Sequence, residues 1–201
     1  MELFLISLVG YLLGSVPFAF VIGKLFYKTD VRSHGSGNLG GSNTGRVLGK
    51  KAGVAVMTLD ILKVTAVVWL AKAFCTHDWA VAAGALAAAL GHCYPVFAQF
   101  RGGKAVATCY GYLFGLWVCA GYSPLVFFVP LGTFLAVLRL FRIVSVSSMV
   151  SSVAAVLCIW LAGATGPEIL AGAVFAAVIV VRHRGNLQRL FQGSERRISW
   201  M

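Results

Sequence analysis

Uncharged, apolar stretches of about twenty residues recur along the chain, separated by short connections that hold nearly all of its charge. A bilayer core about 30 Å thick takes roughly 20 apolar residues as helix, because lipid offers the backbone no outside hydrogen-bond partner. By that measure residues 3–23 form a first crossing. No cationic segment precedes it and no small-residue cleavage site follows, so a retained helix is expected rather than a signal peptide. The second crossing, about 52–74, carries Asp60 and Lys63 near its middle, and the third, 79–98, is rich in alanine. From Ala105 to Leu138 no formal charge occurs in 34 residues; as helix that is about 51 Å, too long for one crossing. Gly121-Tyr122-Ser123-Pro124 supplies a turn in the middle, and a residue before proline avoids helical angles, so the stretch splits into two helices. Residues 143–166 make another crossing, and the run after Pro167-Glu168 to Val181 makes the last and shortest. The pattern predicts an all-α, polytopic integral membrane protein with seven transmembrane helices, one membrane-embedded domain over residues 1–201.

Charge then sets an orientation. Seven crossings place the segments near 24–51, 101–104, 139–142 and 182–201 on the side opposite the N-terminus, and these hold 15 of the 17 Lys and Arg. Glu2, Asp78 and Glu168 fall on the other side. Positive residues mark the cytosolic face, so the N-terminus is expected outside and the C-terminus in the cytosol. Composition agrees: 59% of residues are hydrophobic and 11% charged, against about 25% charged in soluble domains, and mean hydropathy is +0.86. The net charge of +11 is therefore concentrated in a few loops. A soluble nucleic-acid binder would spread it differently, and no nucleic-acid partner is expected. Cys75, Cys93, Cys109, Cys119 and Cys158 are odd in number, lack CxxC spacing and mostly fall in predicted helices, as small buried apolar groups do. No His, Cys or carboxylate cluster has metal-ligand spacing, so neither a metal site nor a cofactor is expected.

Candidate chemistry lies in the basic connections. Residues 30–50 read DVRSHGSGNLGGSNTGRVLGK, with six glycines interleaved with Ser36, Asn38, Ser42, Asn43 and Thr44. Glycines such as Gly37 and Gly40 let successive N–H groups converge into an anion-binding concavity. Arg46 adds a forked, charge-assisted donor suited to phosphate. A merely flexible loop is the plain alternative. Arg101-Gly102-Gly103-Lys104 directly precedes an uncharged helix, where free N–H groups, the positive end of the helix dipole and Lys104 would make a second anion site. A tight turn is the alternative there. His92, upstream, is either a packing residue or a participant, and Pro95 is expected to kink its helix toward the loop. The third segment, HRGNLQRLFQGSERR from His183 to Arg197, puts His183, Asn186 and Arg189 or Leu190 on one face if helical. His183 can move a proton near neutral pH and Asn186 can orient a substrate hydroxyl or phosphate, whereas a lipid-holding basic tail would look similar. Glu195, the carboxylate among these bases, is read as structural. Arg139 and Arg142, followed by Ser145, can donate to the same anions. Asp60 and Lys63, three apart, can pair inside the membrane, either structurally or in transport.

Together the blocks DVRSHGSGNLGGSNTGRVLG, GHCYPVFAQFRGGKAVAT and HRGNLQRLFQGSE resemble the bacterial acyl-phosphate:glycerol-3-phosphate acyltransferase family of the PlsY type. The resemblance spans the chain from Gly14-Ser15-Val16-Pro17 to Gly193-Ser194-Glu195. The family usually has Ala-Thr at Gly41-Ser42, where Ser42 keeps the hydroxyl, and Gly at Ala105. It implies a multi-pass enzyme of the bacterial cytoplasmic membrane with its active site facing the cytosol. Its substrates would be acyl phosphate and glycerol 3-phosphate, its products lysophosphatidic acid and inorganic phosphate. Membrane lipid surrounds it, and an acyl-phosphate-forming enzyme is the expected functional partner. By similarity Ser36 and Arg46 belong to a first motif, Gly102, Gly103 and Lys104 to a glycerol-phosphate-binding second, and His183, Asn186 and Glu195 to a third. Acyl phosphate is already activated, so positioning and oxyanion donors can supply most of the catalysis. Ser36 is read as a phosphate donor, with a covalent acyl-serine as the alternative. A carrier for small organic phosphates is the competing function. It fits poorly, because the polar residues gather at one face and not around a midplane site.

Overall fold

The computed structural model describes residues 1–198, so the last three residues of the expected 182–201 segment lie outside it. The described chain is all-helical. Its helices are α1 (Glu2–Gly14), α2 (Phe18–Tyr27), α3 (Gly41–Leu48), α4 (Lys50–Phe74), α5 (Ala80–Cys93), α6 (Val106–Val118), α7 (Leu125–Phe141), α8 (Val144–Leu161), α9 (Gly166–Arg182) and α10 (Arg184–Phe191).

Four stretches are long and apolar enough to cross a membrane: Glu2–Tyr27 taken across its break, Lys50–Phe74, Ala80–Ala98 and Val144–Leu161. The pair α9 and α10, bent by 53°, would make a fifth. The expected turn at 121–124 does separate α6 from α7. These are shorter apolar helices, α6 spanning only about 20 Å at 1.5 Å per residue. Two further expectations change. Residues 3–23 are not one helix, because Pro17 ends the hydrogen-bond ladder and α2 restarts at Phe18. Pro95 does not kink α5 but follows its end at Cys93, and the chain turns through a short 3₁₀ segment, Val96–Ala98.

Small residues explain the centre of the bundle. The alanine-rich α5 packs on α1, α4, α6 and α9. At the α1–α5 crossing, a Cβ on Gly10 or Gly14 would run into the carbonyls of Gly84 or Ala88. Without a hydrophobic drive between helices in lipid, such close backbone approach is what holds them. The α9 N-terminus is built as its sequence suggests, with Pro167 in the first turn and a reciprocal Thr165–Glu168 capping box. Tyr112 stacks on Phe175 with ring centroids 5.3 Å apart and donates to the Glu168 carbonyl at 2.8 Å. A smaller apolar cluster of Ala19, Val31, Leu39, Val56 and Ala98 lies under the first basic segment and ties it to α2 and α4.

Candidate active site

The first segment is folded around Asn43. Its amide donates to the carbonyls of Val31 (3.1 Å) and His34 (3.2 Å) and accepts from the Ser36 backbone at 2.8 Å. Asn43 is buried, so it shapes the turn rather than facing outward. Gly35 and Gly37 take positive φ of 65° and 69°, which their neighbours could adopt only with strain. Asp30 accepts three hydrogen bonds from Arg32, at 2.8 to 3.1 Å. The Arg32 hydrogen bonds hold its carboxyl at about 2. By contrast, the exposed side chains of Ser36 and Arg46 have no hydrogen bond or ion pair among the described residues. The second half of the segment is not loop but the helix α3, with Gly40 as its N-cap and Ser42 exposed in its first turn. Gly41 and Gly45 are therefore packing residues. A Cβ on Gly53 of α4 would lie 2.6 Å from the Gly45 Cα.

The second segment owes its glycines to close approach. A Cβ on Gly103 would collide with the His92 ring, and one on Gly102 with the His92 carbonyl. The Gly103 N–H, expected to be free for an anion, donates to the His92 carbonyl at 2.9 Å. Helix α6 starts only at Val106, after Ala105 at φ 60°. His92 is buried beneath this loop, its Nδ1 3.2 Å from Lys63 Nζ and 3.5 Å from Asp60 Oδ1. Asp60 and Lys63 pair as expected, at 2.6 Å. Asn38 of the first segment donates to the Gly102 carbonyl at 3.2 Å, joining the two segments directly.

The third segment closes the group. Lys104 Nζ donates to Asn186 Oδ1. Asn186 Nδ2 donates to Glu195 Oε1 at 2.6 Å, and the same oxygen accepts from Ser145 at 2.8 Å. Arg189 Nε meets Glu195 Oε2 at 2.9 Å. Asn186 and Arg189 thus share one face of α10, as their spacing requires. Arg142, exposed, contributes its backbone carbonyl, which takes the Ile198 N–H at 2.8 Å and straps the tail across the α7–α8 turn. His183 is buried at the α9–α10 bend, with Nδ1 2.7 Å from the Ile179 carbonyl. A carbonyl only accepts, so Nδ1 carries the proton and the lone pair of the neutral ring is on Nε2.

Electrostatics confirm the convergence. Burial and then the charges of Arg189, Arg182 and Arg46 push Lys104 down to about 8, against the opposing pull of Glu195. Lys104 therefore feels Arg46 and Arg189, which come from the other two segments. Burial of Glu195 opposes its ionisation, but hydrogen bonds from Asn186, Ser145 and Arg189 outweigh it and hold the carboxyl below its usual range. One residue was not anticipated. Arg182 donates to the Gly103 carbonyl at 2.9 and 3.1 Å and lies 4.9 Å from the Tyr94 ring centroid. Its neighbour His183 drew the chemical reading, and its acceptors are some eighty residues away in sequence.

Fold and site define a helical membrane protein whose glycine-rich and basic motifs meet at one end of the bundle, a class suited to phosphate-bearing ligands. Residues 4–193 match the family model described as glycerol-3-phosphate acyltransferase, and the chain belongs to that family. Among its relatives is a glycerol-3-phosphate acyltransferase of Geobacillus kaustophilus, 46% identical over 98% of this chain and 96% of the relative. Another is glycerol-3-phosphate acyltransferase 2 of Bacillus cereus, 47% identical over 96% and 93%. The fold matches crystal structures of PlsY (YgiH), an integral membrane glycerol 3-phosphate acyltransferase, at 38% identity over 99% of this chain and 96% of that one. The TM-score is 0.91 for its glycerol 3-phosphate form and 0.88 for its lysophosphatidic acid form.

Proposed function

We propose that this chain transfers a fatty acyl group from acyl phosphate to the sn-1 hydroxyl of glycerol 3-phosphate, yielding lysophosphatidic acid and inorganic phosphate. It does so at the cytosolic face of a bacterial cytoplasmic membrane, crossing seven times with its N-terminus outside. The observation that carries this reading is the chain of hydrogen bonds from Lys104 through Asn186 to Glu195 and Ser145, which joins the second and third motifs to the first turn of α8. The relatives' names and the two ligand forms of PlsY support the acceptor and the product. The acyl-phosphate donor rests on the family resemblance and on the chemistry of a site rich in phosphate donors.

Both substrates carry phosphate, and Lys104, Arg46 and the Ser36 hydroxyl are donors able to clamp them. Once clamped, the acceptor hydroxyl oxygen attacks the acyl carbon, the bond to phosphate oxygen breaks, and the hydroxyl proton passes to the departing phosphate or to His183 Nε2. The clamping cations stabilise charge as it develops on the transferred group. Ser36 has no base within hydrogen-bond reach among the described residues, which favours direct transfer over an acyl-serine. The test is lysophosphatidic acid formation, with release of phosphate or of CoA followed alongside, by the purified, detergent-solubilised protein given glycerol 3-phosphate and either acyl phosphate or acyl-CoA. Lysophosphatidic acid and phosphate should form in equal amounts with acyl phosphate alone. Turnover with acyl-CoA alone would overturn the donor. Uptake of glycerol 3-phosphate into proteoliposomes without acylation would make the protein a carrier.

A further inference from the structure

The intramembrane charges Asp60 and Lys63 are not used by the acyl-transfer reading, yet they lie directly beneath its second motif. The Lys63 ammonium has three N–H bonds and three acceptors: Asp60 Oδ1 at 2.6 Å on its own helix, the Val16 carbonyl at 3.1 Å in the α1–α2 break, and His92 Nδ1 at 3.2 Å on α5. Asp60 and Lys63 are 1% and 7% exposed, which excludes a role as surface charges. With Nδ1 accepting, the His92 ring is fixed in orientation and its Nε2 faces the α-carbon of Gly103. The His92 backbone carbonyl takes the Gly103 N–H. Lys104 is the next residue.

Such a group is a poor device for stability. Apolar residues of similar volume commonly replace a buried ion pair at no loss of stability. Here the second carboxylate oxygen of Asp60 and the Ser15 hydroxyl are also buried without a hydrogen-bond partner among the described residues, an added cost. What the three residues provide is directional. They fix three backbone elements and one ring edge against a glycine pair that has no room for side chains.

We propose that Asp60, Lys63 and His92 form a positioning triad that sets the Gly102-Gly103-Lys104 loop for glycerol 3-phosphate, with Lys63 acting through His92 rather than on substrate. This rests on the acyl-transfer reading. The triad is a floor for the loop, and Arg182, bonded to the loop carbonyls, is its wall.

The experiment replaces both charges at once, Asp60→Leu with Lys63→Met, so that no unpaired charge remains buried. A second variant, His92→Gln, leaves Lys63 an acceptor but removes the ring edge under Gly103. Detergent-purified wild type and variants are compared by thermal unfolding, by KM and kcat for glycerol 3-phosphate, and by the glycerol 3-phosphate concentration giving half-maximal thermal shift. In folded variants we expect both KM and that midpoint to rise by about tenfold or more, with kcat within about threefold of wild type. A merely structural role would lower the active fraction, and with it apparent kcat, at unchanged KM. Wild-type KM in either folded variant overturns the proposal, as does failure of both variants to fold. Absence of acyl transfer in the wild type would overturn the proposed function instead, while the thermal-shift midpoint would still report on the triad.

Discussion

Lys104 stands where burial and a crowd of guanidinium groups leave an ammonium that titrates at about 8. Below that pH it is charged and binds phosphate, and above it the charge is lost. KM for glycerol 3-phosphate should therefore be flat in neutral solution and rise above pH 8, while Lys104→Arg, whose guanidinium stays protonated, should remove that rise. An unchanged alkaline rise in the Arg variant would show that another group titrates. Glu195 behaves in the opposite sense. Its carboxyl is held below the usual range, so its hold on Asn186 and Arg189 is complete above about pH 4.3 and fails only in more acid solution. Residue types and local spacing made Lys104, Arg46, Asn186 and the Asp60–Lys63 pair legible in the sequence. The hub role of Glu195 was visible only as a structural expectation, because Ser145, fifty residues away, is among its partners. Arg182 was invisible for the same reason: it binds backbone carbonyls, which carry no sequence signature.

At the scale of elements, the loop between α5 and α6 is the most strained connection. Gln99, Phe100 and Ala105 all adopt positive φ, at 57°, 58° and 60°. Left-handed backbone costs a non-glycine residue about 1 kcal/mol. Gln99 is exposed and packs nothing away, so Gln99→Gly should raise the thermal midpoint in detergent by about 2–4 °C. A lowered midpoint would mean that the Gln99 side chain holds the loop. Glycine at Ala105, the family's usual choice, would relieve the same strain but would give up a fully buried methyl. Helix α3 escaped the sequence reading because its residues, GSNTGRVL, carry no apolar stripe and two glycines. It exists because those glycines let α3 lie against Gly53 of α4. Proline signals were more faithful. They located the α6–α7 turn and the start of α9, whereas the hydrophobic run over 3–23 hides the break at Pro17, and Pro95 follows the end of α5 instead of kinking it.

Across the whole molecule, hydrophobic run length was enough to give an all-helical membrane bundle, and the segregation of basic residues pointed to the end where the site lies. How segments far apart in sequence would meet could not be read from run lengths, since Asn38–Gly102 and Lys104–Asn186 are tertiary contacts. The orientation has its own test. In intact cells, a membrane-impermeant maleimide should label Asp78→Cys in a cysteine-free background and leave Arg101→Cys unlabelled until the membrane is opened. Reversed labelling would invert the topology and detach the site from the cytosol. The account depends above all on the motifs forming one site, and a double-mutant cycle between Lys104→Ala and Asn186→Ala, read in kcat/KM on verified folded protein, measures that directly. Each single change should lower kcat/KM by about 100-fold or more, and the double should lose far less than the product, a coupling of at least about 1 kcal/mol. Strictly additive losses, or wild-type kinetics in Lys104→Ala, would contradict it.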